Sequence, residues 1–204
     1  MLTRLIPKEF ATRLFRSLTD PHQPAYGQFA NVGEGGRPEV RTVHFRYLKK
    51  TDQLAVATNT KSSKWRQLAR RKNSAGCLFD PHRLIQFRWN GSTQRLLNGP
   101  IVEQMWRQVR PDVRLAYWLD YKKIPYRAGR RFTIDLARPC PTFGILLCKP
   151  TRWDIMEINP KNYCLDRRTL HHLSGGRWHS RTASVLHRGS SAPPQHVGSG
   201  ETAN

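Results

Sequence analysis

The sequence predicts a mainly β, antiparallel domain with flanking helices. Three observations point there. Short runs alternate with period two, at residues 40–47 and again at 84–89. Polar or glycine-bearing turns separate such runs, at 33–36, 49–53 and 80–83. Residues 7–18 and 63–72 carry apolar residues at helical spacing instead. Short alternating strands joined by turns are the pattern of a barrel.

Taken in order, residues 7–18 form an amphipathic helix with Phe10, Leu14 and Leu18 on one stripe and Phe15 close by. Pro21 and Pro24 mark a loop, and residues 26–32 form the first strand. Gly33-Glu34-Gly35-Gly36 reads as a turn. It lacks the strand–loop–helix setting and the lysine of a phosphate loop. In the next strand Arg41, Val43, Phe45 and Tyr47 point one way, and Thr42, His44 and Arg46 the other. Residues 54–58 are small and apolar and fit a buried return strand. Residues 63–72 then form a helix, with Trp65, Leu68 and Ala69 on one face and Ser62 or Ser63 as N-cap.

Residues 74–79 form a strand with Cys77 as a buried residue. In 84–89, Leu84, Gln86 and Arg88 share one face, and Ile85, Phe87 and Trp89 the other. Asn90-Gly91 marks a turn or bulge, after which 92–97 continues the sheet. Ile101, Val102, Met105, Trp106 and Val109 form the stripe of a helix over 98–109. Pro111 interrupts it, and 113–119 makes a second, short helix. Residues 121–141 read as a long loop. Strands are expected at 142–148, 152–158, 163–173 and 178–186. A single domain over 1–186 and a disordered tail of Gly, Ser, Pro and His over 187–204 complete the expectation.

One stretch carries chemistry. A helix N-terminus with two hydroxyls, Ser62 and Ser63, followed by Lys64, suits a phosphate group. Arg41, on the neighbouring strand, has a planar fork that suits the same anion. The same charges also suit a solvated surface. Gln86, on a polar strand face, both donates and accepts and so suits the heteroatoms of a polar ring; it equally suits an ordinary outward position.

Four pieces in order resemble the pyridoxamine 5′-phosphate oxidase-like family of FMN-binding split β-barrels. They are Arg-Thr-Val-His-Phe-Arg at 41–46, Thr58-Asn59, Ser62-Ser63-Lys64, and Gln86 through Gly91 with the spacing Gln-x-x-x-x-Gly. The resemblance runs from about Tyr26 to about Val185. It implies an FMN-binding split β-barrel and an FMN-dependent oxidoreductase acting on a small molecule. It assigns cofactor binding to Arg41, Thr42, Val43, Arg46, Thr58, Ser63, Lys64, Gln86 and Arg167, and substrate binding to Arg110 and Arg114. It also implies a homodimer with FMN at the interface. The catalytic residues stay unassigned. Two departures stand out: Tyr163-Cys164-Leu165 where the authentic oxidases carry Arg-x-His, and Met156 where they place a tryptophan near the flavin. A flavin-binding or sensing protein without turnover is therefore the alternative.

Composition narrows the field further. The 204 residues are 38% hydrophobic, enough for one domain with a core, and a shared core in a dimer fits that modest share. No run of 18 apolar residues is present, so no helical membrane span is expected. The N-terminus lacks a secretory pattern. Cys77, Cys140, Cys148 and Cys164 have no C-x-x-C spacing and read as reduced thiols of a cytoplasmic protein with no metal site. The formal charge of +21 raises a second alternative, a basic nucleic-acid-binding protein. Its charge is spread along the chain and no zinc-finger, helix-turn-helix or RNP signature is present, so nucleic acid is not the expected partner.

Overall fold

The structure is a computed structural model that describes residues 5–22, 25–49, 51, 53–129 and 131–183. The expected tail over 187–204, and the end of the last expected strand, lie outside the described residues. Eight antiparallel strands form one sheet in the order β3-β2-β1-β4-β5-β6-β7-β8. These are β1 (Tyr26–Val32), β2 (Pro38–Leu48), β3 (Gln53–Asn59), β4 (Asn73–Asp80), β5 (Ile85–Leu96), β6 (Phe143–Glu157), β7 (Arg167–Ser174) and β8 (Arg177–Ala183). A further pairing of β3 with β6, from Leu54↔Cys148 to Asn59↔Phe143, closes six of them into a barrel. The hairpin β7–β8 continues outward from β6. The expected split β-barrel is thus present.

Alternation fills the barrel. Phe29, Val43, Phe45, Leu54, Val56, Leu78, Phe87, Trp89, Leu146, Cys148, Trp153 and Ile155 form one buried cluster. Burial of aromatic side chains of this size dominates such a core. Trp89 needs its cross-strand neighbour to be Gly76, because any Cβ there would run into the indole. Two helices plug the ends. Helix α1 (Lys8–Thr19) inserts Phe10, Leu14 and Leu18, with Phe10 edge-on to Trp153 at 5.1 Å between centroids. Helix α2 (Ser63–Arg70) inserts Trp65 and Leu68. A second cluster lies outside the barrel wall. There α3 (Pro100–Gln108) and α4 (Pro111–Lys122) lay Val102, Met105, Trp106 and Tyr117 over Ala55, Phe143, Ile145 and Leu147.

Three readings of the sequence change. The strands expected at 142–148 and 152–158 are one 15-residue strand. Pro150 sits where the register with β5 shifts, opposite Gly91, and Thr151 is the extra residue. A bulge is where a sheet tolerates proline. Residues 163–165 form a 3-10 turn rather than the start of a strand. Cys77 is half-buried on the outward face rather than buried, and partial desolvation raises its thiol pKa. Ser62 does occupy the N-cap position of α2, but its side chain makes no capping bond.

The α1 end is held by Asp80, whose side chain is only 1% exposed. It accepts from the Ser17 hydroxyl at 2.6 Å and from Arg83 at 2.8 Å. Burial pushes its pKa up, but these donors outweigh burial and hold it below the ordinary 3.8. A depressed folded pKa means this stabilisation is full above the unfolded value of about 3.9 and is lost as pH falls through the folded value. Asp80→Asn is expected to cost about 1.5–3 kcal/mol at pH 7. The gap between wild type and variant should narrow in urea unfolding at about pH 3. An equal gap at both pH values would assign the loss to packing.

Candidate functional site

The site begins with β2. Inward parity carries Glu39 and Arg41 beyond Val43 to the barrel end that α2 closes. There four side chains form a ring of hydrogen bonds. Arg41 donates to Asn31 Oδ1 and, at 2.6 Å, to Glu39. Gln67 of α2 donates to Glu39 at 2.7 Å and accepts from Asn31 at 2.9 Å. Sequence reasoning found Arg41 and missed Asn31, Glu39 and Gln67. The signal was weak but present: Glu39 shares the alternation phase of Arg41, and Gln67 lies one turn after Lys64.

Lys64 stands beside this ring. It is half-buried and forms no ion pair among the described residues. Burial lowers its pKa, and the nearby Arg41 cation lowers it further. Two adjacent cations, one of them desolvated, raise each other's cost unless an anion lies between them. Glu39 serves Arg41 but does not reach Lys64 as an ion pair. At the start of α2, Thr58 is buried with its hydroxyl 3.4 Å from that of Ser62, while Ser63 is exposed. Arg41, Thr58, Ser62, Ser63 and Lys64 thus gather at one end of the barrel, with donors and charge suited to a phosphate dianion.

The other expected site residues are elsewhere. Val43 is buried in the barrel core, so only its backbone is available to a ligand. Thr42 is exposed on the outer face. Arg46 is half-buried and lies across from Ala55, on the face opposite Arg41; β2 keeps its alternation, so the two arginines do not converge. Gln86 is half-buried on the outward face, opposite Phe79. Arg167 is exposed, whereas its neighbour Arg168 donates to Asp154 at 2.8 and 3.0 Å. Arg110 is exposed and paired with Asp112 at 2.7 Å. Arg114 donates to the Leu136 carbonyl at 3.1 Å, an acceptor it shares with the Trp106 indole at 2.8 Å. Its visible role is to pin the loop before β6.

Residues 7–96 match the family described as the pyridoxamine 5′-phosphate oxidase FMN-binding domain. That stretch contains α1, β1–β5 and every residue of the Arg41–Lys64 cluster. The match spans a little under half of the chain, and over that stretch the chain is similar to this domain. The family also appears among solved structures of similar fold. A pyridoxamine 5′-phosphate oxidase-related, FMN-binding protein from Nostoc punctiforme is 25% identical with a TM-score of 0.72, covering 87% of this chain and 96% of that one. PhzG from Burkholderia lata, in complex with tetrahydrophenazine-1-carboxylic acid, is 17% identical with a TM-score of 0.60, covering 86% and 87%. A protein from Clostridium acetobutylicum related to general stress protein 26 is 10% identical with a TM-score of 0.51, covering 87% and 96%. The last two show the fold alone. No curated protein matches the sequence. Among the described residues no helix is long and apolar enough to cross a membrane, and no group of His, Cys, Asp or Glu suits a metal ion.

The Arg41–Lys64 arrangement makes a titration measurable. In an Arg41→Gln variant the Lys64 pKa is expected to rise toward 10.5 without reaching it, since burial still opposes the charge. NMR titration of the lysine side chains reads this directly. An unmoved value would show that Arg41 does not act on Lys64.

Proposed function

We propose that this chain binds FMN and uses it as an FMN-dependent oxidoreductase on a small molecule. The observation that carries the reading is the half-buried Lys64 beside Arg41 at the start of α2, within the stretch that matches the FMN-binding family. FMN, when bound, supplies reversible hydride and electron transfer; the protein supplies position and polarity. Arg41 and Lys64 take the phosphate. The Asn31–Gln67–Glu39 ring holds the Arg41 fork in place, and Ser63 offers a hydroxyl at the helix start. Thr42 and Val43 offer their strand backbone, while Arg46, on the outer face with Gln86, serves the flavin held by the second copy of the chain.

Gln86 and Arg167 enter through a second copy of the chain. Gln86 lies on the outward face while Arg41 turns inward, so one barrel does not bring both to one flavin. The outward face also leaves Tyr26 58% exposed, Val40 63% and Phe79 43%. Apolar side chains of this kind suit a covered interface. A homodimer with FMN between the subunits accounts for both facts.

Removing Arg41 deletes a charge-assisted hydrogen bond, about 1.5–3 kcal/mol. FMN affinity of Arg41→Ala is therefore expected to fall by roughly one to two decades. The check is the visible absorption of the purified protein with added FMN, together with sedimentation of the loaded form at dimer mass. Unchanged affinity would remove Arg41 from the site, and a monomer retaining full FMN would remove the interface.

A second reading, flavin binding without turnover, is favoured by the 163–165 turn. Authentic oxidases carry Arg-x-His there, whereas this chain exposes Tyr163 and Leu165, at 70% and 60%. Arg110 and Arg114, the remaining candidates for a substrate phosphate, are engaged with Asp112 and Leu136. Oxidation of pyridoxamine 5′-phosphate is accordingly expected to be weak or absent. Oxygen uptake by the FMN-loaded protein decides this: turnover in the usual range of about 1–10³ per second would overturn the expectation.

A further inference from the structure

A cavity of about 720 Å³ opens between α2 and the second half of β5. It lies on a different face of α2 from the Arg41 ring. Trp65, Leu68, Ala69 and Lys72 line it, whereas Lys64 and Gln67 meet β1 and β2. Its size falls within the range of small-molecule sites. The lining is mixed. Leu68, Leu96 and Leu97 supply apolar wall, and Lys72, Arg95 and Lys149 supply three cations. No acidic residue lines it.

Arg95 gives the cavity a fixed donor. Its guanidinium lies over the Trp65 ring at 5.0 Å, and one Nη donates to the Trp65 carbonyl at 3.2 Å. That bond uses one of five N–H donors. The stacked arginine is held in place before any ligand arrives, which reduces the ordering cost of binding. Among the described residues neither Arg95, Lys72 nor Lys149 forms an ion pair. Arg83, Arg88 and Arg168, by contrast, each reach a carboxylate. The β5–β6 bulge adjoins the cavity residues Ser92 and Lys149. Gly91 lies against the Lys149 carbonyl, and past it β5 turns Thr93 inward, where it is buried against Ser74 at 2.6 Å.

We propose that this cavity is a second binding site, separate from the flavin phosphate site, for a small organic anion with an apolar or aromatic body. The anionic group pairs with Arg95 and the two lysines, and the body rests on the leucine wall. The proposal does not depend on FMN binding.

The test uses the full chain, with and without saturating FMN, and two probes of the same shape, 2-naphthoate and its neutral carboxamide. Binding is read by calorimetry. Naphthoate is expected to bind one site per chain, at least tenfold tighter than the carboxamide, and equally with FMN present. Lys72→Gln with Lys149→Gln is expected to weaken naphthoate at least tenfold. Arg66→Gln with Arg70→Gln removes the same charge from α2 outside the cavity and is expected to leave it unchanged. Circular dichroism confirms that both doubles fold. Should one double fail to fold, the naphthoate–carboxamide comparison in the wild type still decides. Equal weakening by the two doubles would reduce the effect to general charge attraction and overturn the proposal. So would equal affinity for the two probes, displacement by FMN, or no saturable binding.

Discussion

The pairing of β3 with β6 is the constraint on which the molecule depends. A six-stranded sheet left open would have two edges and one buried face. Closed, it has an interior that only side chains can fill, and two open ends. Filling the interior accounts for Phe29, Phe45, Phe87, Trp89 and Trp153, and for Gly76 opposite Trp89. Stoppering the ends accounts for α1 and α2. The function follows from the second stopper. To seat Trp65 and Leu68 in the barrel mouth, α2 must begin directly after β3. That start sets Lys64 beside the arginine that β2 carries to the same mouth.

The cluster at that mouth is paired unevenly, and the unevenness gives it meaning. Arg41 is tied down by Glu39 and Asn31, and Gln67 completes the ring. Lys64 receives charge repulsion and burial with no ion pair in return among the described residues. A surface cation would relax into water. A desolvated one next to another cation has a standing affinity for anions. The outward residues, by contrast, form their own network: Arg88 and Arg168 both reach Asp154. Both outward arginines thus reach a carboxylate, whereas at the mouth Lys64 reaches none among the described residues.

Much of this was legible in the sequence, because period-two alternation and turn residues are local signals. Strand β1 has the bounds its sequence predicts, and Arg41, Val43, Phe45 and Tyr47 share one face of β2 and Thr42, His44 and Arg46 the other, as alternation predicts. The continuity of β6 was not legible, since Pro150 ordinarily ends a strand and only the partner strand shows that it occupies a bulge. The Arg41 ring was hidden for a related reason. Asn31, Glu39 and Gln67 come from three elements, and no spacing rule joins residues that meet only when the barrel closes. Arg110 and Arg114 show the converse. The family resemblance assigned them to substrate, and the structure gives each a partner within the chain.

The extra residue Thr151 bears on how this chain can vary. Before it, β6 turns Cys148 and Leu146 inward; after it, Trp153 and Ile155. Even-numbered positions face the core on one side of the bulge and odd-numbered positions on the other. Thr151 itself is exposed, so replacing its side chain disturbs little. Deleting it would be another matter. One half of the strand would rotate, either exposing two tryptophan-layer residues or dragging Asp154 and Arg152 into the interior. Relatives sharing this barrel should therefore tolerate almost any residue at that point, and insertions in the loops around it, while conserving the count of residues along β6.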